Sequence, residues 1–454
     1  MRKKWDEQLS IFNYLPKNRV SKELVAMSDI LEAHPEMLEG IYKDLSGTRR
    51  VDTGRDGMTA EQVLRCAILK QYRSLTNDEL AFHLEDSQSF RTFAKMRMGQ
   101  YPSASTLQEN IKTLSVESWM AVHEATIRYA EDEGLEKGRK TRIDSTVVET
   151  NIHRPTDSTL LKDGIRIITR WLAEGQELSP RPVYVFRDHN RRAKKRCMEI
   201  LNAKNEGVRE KAYRDLLGLA GRVRGYALAA IPVLDGYVSR DAAERLRAQA
   251  LAQKLEQAVE ILGRVMGQTE RRVLQGEAVP SGEKVVSFFE SHTDIIVKDR
   301  RDTHYGHKVF LTGGPTGLIL DCIIERGNPN DTVLFPLLIE RQGWLYDRPP
   351  RQVSADGGFA SLDNLVKAKR LGVKDVAFAK KKGLSVLEMV KSSWVYKRLR
   401  NFRAGIEANI SRLKRSFGLS CCDWTGWFGF KKYVWSALVS YNFLVLARLK
   451  IAQA

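Results

Sequence analysis

The sequence predicts a mixed α/β protein whose sheet-forming part is interrupted by a long helical segment and preceded by a helical N-terminal region. Three observations carry this. Residues from about Ser21 to Glu133 show the apolar period of short helices, β-branched strand chemistry begins at Arg142, and it returns near Tyr305 after more than 100 residues of helical pattern. A chain of 454 residues exceeds the usual size of a single core, so two or three domains are expected.

The first helix is expected to open at Ser21, with Leu24, Met27 and Leu31 on one stripe; Thr59 caps a second that carries Val63, Cys66, Ala67 and Lys70. LTNDELAFHLEDSQSFRTFAKM reads as helix, polar turn and helix, and SASTLQENIKTL brings its own Ser or Thr cap. Such compact units bind DNA, dimerise or simply pack as a bundle, and periodicity does not choose among these. RIDSTVVET is a short strand in which Ile143, Val147 and Val148 bracket Asp144. Beyond Pro155, LKDGIRIITRWLAEG, DHNRRAKKRCMEILNAK and DAAERLRAQALAQKLEQAVEILGRVMGQ are three helical segments.

Strands HKVFLT and GLILDCIIE flank the turn-forming GGPTG and predict a hairpin. DTVLFPLLIERQ follows as a helix capped by Asp331, then the strand RQVSADGG, a helix SLDNLVKAKRLG capped by Ser361 and closed by Gly372, the strand KDVAFAK, and a last helix with NFRAGIEANISRLKRSF. The expected organisation is a helical DNA-binding or dimerisation region over 1–135, an α/β domain made of 136–156 and 291–454, and a helical insertion over 157–290.

Hydrophobic content of 43% and charged content of 29% exclude pervasive disorder. The 74 basic and 56 acidic side chains leave a net charge of +18. From Lys381 to Ala454 there are 14 Lys and Arg against 3 Asp and Glu, so +11 of the excess lies in that final stretch. A polyanion is the obvious partner, and a solvated basic surface the plain alternative. The five cysteines, Cys66, Cys197, Cys322, Cys421 and Cys422, lack a zinc-site spacing and read as reduced thiols of a cytosolic protein. MRKKWDEQLSIF has no signal-peptide core, and VWSALVSYNFLVLARL is broken by polar residues and reads as too short to span a bilayer, so no membrane role is expected. The absence of a nucleotide-binding glycine loop argues against an ATP-driven enzyme.

Three carboxylates stand out. Asp144 lies within the first strand. Asp356 ends a later one and precedes Gly357 and Gly358, a pattern that suits close approach of a ligand to the backbone and equally a simple turn. On the last helix Phe402, Ile406, Ile410, Leu413 and Phe417 define a core-facing stripe, and Arg403, Glu407 and Lys414 a second stripe roughly 80° away, which puts Glu407 at the edge of the core beside two cations. The plain alternative is an exposed Arg403–Glu407 pair contributing a few tenths of a kcal/mol. Three converging carboxylates require a cation, and hard oxygen donors match Mg²⁺ or Mn²⁺, two of which can promote phosphodiester chemistry.

On these residues, the D of RIDSTVVETN, the D of SADGGF and the E of NFRAGIEANISRLKRSF, the chain resembles the DDE transposases of bacterial insertion sequences. The resemblance runs from Arg142 to the C-terminus, about 300 residues, and the helical N-terminal region also looks like the part that precedes the catalytic domain in that family. It implies an RNase H-like catalytic domain with Asp144, Asp356 and Glu407 as catalytic metal ligands. It also implies a pair of Mg²⁺ (or Mn²⁺) ions, double-stranded DNA as element end and target, a homo-oligomer at synapsis, and a bacterial cytoplasmic location at the nucleoid. The family's signature of Tyr, two residues, Arg, three residues, Glu, six residues, Lys is met by Arg403, Glu407 and Lys414, while Arg400 stands at the tyrosine's place. These three cations are the expected DNA contacts. The alternatives are a metal-dependent nuclease without strand transfer and a non-catalytic DNA-binding regulator, which should have lost an acidic residue that this chain retains.

The remaining features receive plainer readings. His304 and His307 lack companion ligands and suggest structural or DNA-facing roles; the run Arg187 to Arg196 suits a phosphate backbone or a solvated helix face; Trp394, Trp424 and Trp427 suit packing or base stacking.

Overall fold

The computed structural model describes Lys4 and residues 18–47, 57–298, 302–380 and 382–453. The chain forms two compact units, one made of residues 1–149 and 307–454, the other of residues 150–306.

Among the described residues of the first unit, seven α-helices precede the sheet: α1 Arg19–Ala33, α2 Leu38–Ser46, α3 Ala60–Tyr72, α4 Asn77–Asp86, α5 Gln88–Phe93, α6 Ala104–Thr113 and α7 Val116–Asp132. Their starts follow side-chain capping. Thr59 and Thr76 form reciprocal capping boxes with Gln62 and Glu79, and Ser103 accepts from Thr106 N. The first cap differs from expectation. Asn18, not Ser21, caps α1 and accepts from Ser21 N, because the helix begins a turn earlier than the apolar stripe reveals.

The strands among the described residues are β1 Lys140–Thr150, β2 Asp294–Lys298, β3 Asp302–Gly313, β4 Ile319–Ile324, β5 Gln352–Ala355, β6 Asp375–Phe378 and β7 Cys421–Cys422. The order β4-β3-β1-β5-β6 runs across the first unit. β1, β5 and β6 are parallel, while β3 and β4 form the expected antiparallel hairpin, with an irregularity at Thr312/Gly313. This is a mixed sheet of RNase H-like arrangement. After the seven N-terminal helices come α8 Asp157–Gly175, α9 Asn190–Asn202, α10 Glu206–Asp235, α11 Ala242–Thr269, α12 Asp331–Leu345, α13 Leu362–Arg370, α14 Val386–Met389, α15 Ser393–Ser416 and α16 Gly426–Gln453. Ser361 caps α13 and Gly372, at φ +96°, closes it as expected. Asn330 rather than Asp331 precedes α12; Asp331 instead pairs with Lys308 at 3.1 Å.

α16 is the spine of this unit. Its middle, from Tyr433 to Ala447, is buried throughout, and it packs against α1, α3 and α7 as well as β4. Arg448 meets Glu23 of α1 at 2.7 Å, Gln71 of α3 donates to Ser436, and Asn442 both accepts from and donates to the Ile319 backbone of β4. By length and composition α10 and α16 are apolar enough to cross a membrane, so the expectation that the C-terminal stretch is too short needs correction. α16 spends that apolar surface on the core of the fold. His307 is likewise a core residue, edge-on to Trp427 and Phe430 with centroids 4.8 Å away.

The second unit packs α8, α9, α10 and α11 around Leu161, Ile165, Ile168, Leu216, Leu219, Val223, Leu255 and Leu262, and pairs β2 with the first residues of β3. The 30-residue α10 escapes the sequence reading. Gly218, Gly221 and Gly225 and an internal Pro232 weaken its local signal, while its buried Leu and Ala stripe holds it helical. β2 is also unforeseen.

Candidate active site

Strand register brings the first two carboxylates together. β1 and β5 run parallel with Ile143 opposite Ala355, so the residues that follow, Asp144 and Asp356, stand abreast on neighbouring strands. Ile143, Val353 and Ala355 are fully buried and anchor both strands beneath the acids. Asp356 caps the short 3₁₀ turn Gly357–Phe359 and accepts from Gly358 N. The glycines answer to the protein's own neighbours: a Cβ on Gly357 would meet the Lys380 side chain at 2.7 Å, and one on Gly358 would meet Asp331. Close packing against the protein's own side chains is what the structure shows at that pair.

Glu407 comes from α15, which is pinned across all three parallel strands. Tyr396 donates to Phe378 O on β6 (2.8 Å), Ser354 of β5 donates to Leu399 O (2.9 Å), and Arg142 of β1 reaches Phe402 O (3.4 Å). Gly405 allows Arg142 to lie against the helix, since a Cβ there would collide with the guanidinium. Phe402 is only half-buried and lies under Lys140 and Arg142, at 4.1 and 5.0 Å from its centroid, so the expected apolar stripe begins as a cation–π stack.

One guanidinium joins the three acids. Arg403 Nη1 lies 3.2 Å from Asp144 Oδ2 and 3.7 Å from Asp356 Oδ1, and Nη2 lies 2.7 Å from Glu407 Oε1. Arg403 and Asp144 are shielded, with side chains 16% and 15% exposed, whereas Asp356 and Glu407 open toward solvent. Burial pushes Asp144 up to about 6; neighbouring Asp356 and Glu407 add to the rise, while the Ser145 backbone N–H and Arg403 oppose it. The sequence placed Arg403 beside Glu407 but carried no signal that it also reaches two strands. Arg400 is exposed one turn before Arg403, and Lys414 lies two turns beyond Glu407 on the same helix.

Among the described residues no group of three or more His, Cys, Asp or Glu side chains is gathered closely enough to hold a metal ion. The three carboxylates are held apart around Arg403. Their chemistry nevertheless fits a hard divalent cation: all donors are carboxylate oxygens, and three acids against one guanidinium leave negative charge uncompensated. All five cysteines are free thiols, and none belongs to this cluster.

An acid within β1 abreast of one just past the end of β5, with a third on the helix packed over the sheet, fits a domain of the RNase H-like class. A family model described as Transposase DDE domain matches residues 292–443, and one described as Transposase domain (DUF772) matches residues 10–113. The chain belongs to the DDE-type transposases of insertion-sequence type. Asp356 and Glu407 fall within the first match, whereas Asp144 lies outside both. No curated protein and no solved structure matches the chain.

Proposed function

We propose that this transposase binds the ends of its own insertion sequence, cuts the DNA there and joins the freed strand to target DNA, with Asp144, Asp356 and Glu407 as its catalytic carboxylates. One observation carries the reading. Carboxylates from β1, from the end of β5 and from α15, remote in sequence, share the single guanidinium of Arg403. These side chains would hold Mg²⁺ or Mn²⁺, as a pair of ions, and such ions supply activation of an attacking oxygen and stabilisation of a leaving oxygen at a phosphodiester.

The chain's own residues do the rest. Asp144 and Asp356 are fixed by strand register, so their carboxylates are preorganised before DNA arrives. Arg403 balances part of their charge. At 100° per residue Arg400, Arg403, Glu407 and Lys414 fall within one narrow face of α15, so the cations flank the acids and offer contacts to backbone phosphates. The N-terminal helices over 1–135 would choose the end sequence, and 157–290 would be an insertion within a catalytic domain formed by 136–156 and 291–454.

The test is metal-dependent cleavage of DNA that carries the element's ends, compared for the wild type and Asp144→Asn, Asp356→Asn and Glu407→Gln. Loss of cleavage with retained DNA binding is expected for each variant, and near-normal cleavage removes that residue from the triad. Covalent joining to a second duplex separates a transposase from a nuclease that stops at hydrolysis. A wild type that binds ends but never cuts would favour the regulator.

A further inference from the structure

The helical unit carries a basic cleft that no part of the DDE chemistry uses. It encloses about 610 Å³ and is formed where the segment before α9 and the start of α9 face Arg222 of α10. Six cationic side chains line it, against Asp188 as the one acid. Asp188 is already engaged, accepting from Asn190 N at 2.7 Å. Two of the cations serve the fold: Arg192 and Arg196 both bind Asp215 of α10 and so tie the two helices together. The other four, Arg187, Arg191, Lys195 and Arg222, have no carboxylate partner among the described residues.

Two further facts show that this charge is concentrated on one spot. α9 has no acidic residue in its first turn and its N-cap His189 makes no side-chain cap bond, Asp188 taking the Asn190 amide; Arg191 and Arg192 add to the positive end of the helix dipole, an arrangement that disfavours cations and favours an anion. His189 stacks on Tyr226 at 6.1 Å between centroids, and its Nε2 is buried without a hydrogen-bond partner. Burial lowers its basicity, and Arg222, Arg187 and Arg192 around it lower it further. In the tautomer that carries its proton on Nε2, this partnerless imidazole nitrogen is an N–H donor placed beside an anion site. The guanidinium forks match phosphate oxygens in pairs, and the open mouth admits a polymer backbone.

We propose that this cleft grips the phosphate backbone of duplex DNA, giving the helical unit a DNA contact of its own, separate from the cations of α15. The inference rests on the transposase reading, which supplies the DNA. It predicts a sequence-independent contribution to affinity with a strong salt dependence.

The experiment measures binding of the full chain to a duplex of arbitrary sequence across a salt series, with EDTA present so that cleavage does not intervene. The variant replaces Arg187, Arg191, Lys195 and Arg222 by Ala and leaves Arg192, Arg196 and Asp215 intact. A charge-matched control replaces the exposed Arg170, Arg240, Lys254 and Arg264. Each phosphate contact contributes about 0.9 to the slope of log affinity against log salt, so the cleft variant should lose roughly 2 to 4 from that slope and the control almost none. An unchanged slope in the cleft variant, or an equal loss in the control, overturns the cleft alone. A wild type without salt-dependent DNA affinity overturns the transposase reading and the cleft with it.

Discussion

Replacing Asp144 by Asn should stabilise the metal-free protein at neutral pH, and the gain can be worked from the site. An aspartate in the unfolded chain titrates near pH 3.9, whereas burial and the neighbouring acids push folded Asp144 up to about 6. Between those values the folded chain holds a proton that the unfolded chain has released. Stability from this group is therefore fully present below about pH 4, falls as pH rises toward 6, and is level above it. At about 1.4 kcal/mol per pH unit, ionised Asp144 costs about 3 kcal/mol, with the help of Arg403 already included in the folded value. Asparagine keeps the shape and carries no charge, so it escapes that cost. The assay is urea unfolding of both proteins in EDTA from about pH 4 to about pH 7. The variant's advantage should grow with pH and then plateau, since titrations common to both proteins cancel. A flat difference, or a wild type that gains on the variant as pH rises, refutes the reasoning.

Asp356→Asn and Glu407→Gln should abolish cleavage of end-bearing DNA while circular dichroism and end binding stay near wild type, because both acids are exposed enough to be neutralised without disturbing the core. Cleavage should require Mg²⁺ or Mn²⁺ and stop in excess EDTA, with Ca²⁺ supporting binding but little chemistry; turnover in EDTA would contradict the all-oxygen site. Lys414→Ala should lower the single-turnover cleavage rate more than it weakens end binding, and an unchanged rate at saturating DNA would reduce it to a grip on the backbone. Gly405→Ala should cost about 1–3 kcal/mol in urea unfolding by driving a methyl group into Arg142, and Arg142→Ala in the same chain should recover much of the loss.

Much of the candidate site is legible because it is built from local patterns. Val353 and Ala355 announce a buried strand that delivers Asp356, Ile143 does the same for Asp144, and the four-residue rhythm of α15 turns Glu407 to the edge of the core. The three-way role of Arg403 was not legible, since helical spacing reports neighbours on the helix and says nothing of side chains arriving from β1 and β5. The match of Gly405 to Arg142 was hidden for the same reason: a glycine inside a helix looks like a weakness until the opposing side chain is known. Caps are legible where Ser or Thr directly precedes the apolar rhythm, as at Thr59 and Ser361, and hidden at Asn18, where a polar turn intervenes. α10 is hard to see in the sequence because its glycines suppress the local signal that its buried stripe supplies in three dimensions.

The double service of α16 bears on how such a protein can be inherited. The helix gives one side to α1, α3 and α7 and another to β4, so the N-terminal helices and the sheet that carries Asp144 and Asp356 share a single apolar core. Cutting off the N-terminal helices near residue 135 would strip α16 of its cover and expose a long apolar surface, and the remaining piece would aggregate before its DNA preference could be read. Exchange of that region between related elements would need a matching α16 to travel with it. If the N-terminal helices choose the end sequence, as proposed above, end preference is expected to drift through their single exposed residues, and recognition and catalysis to be passed on as one piece.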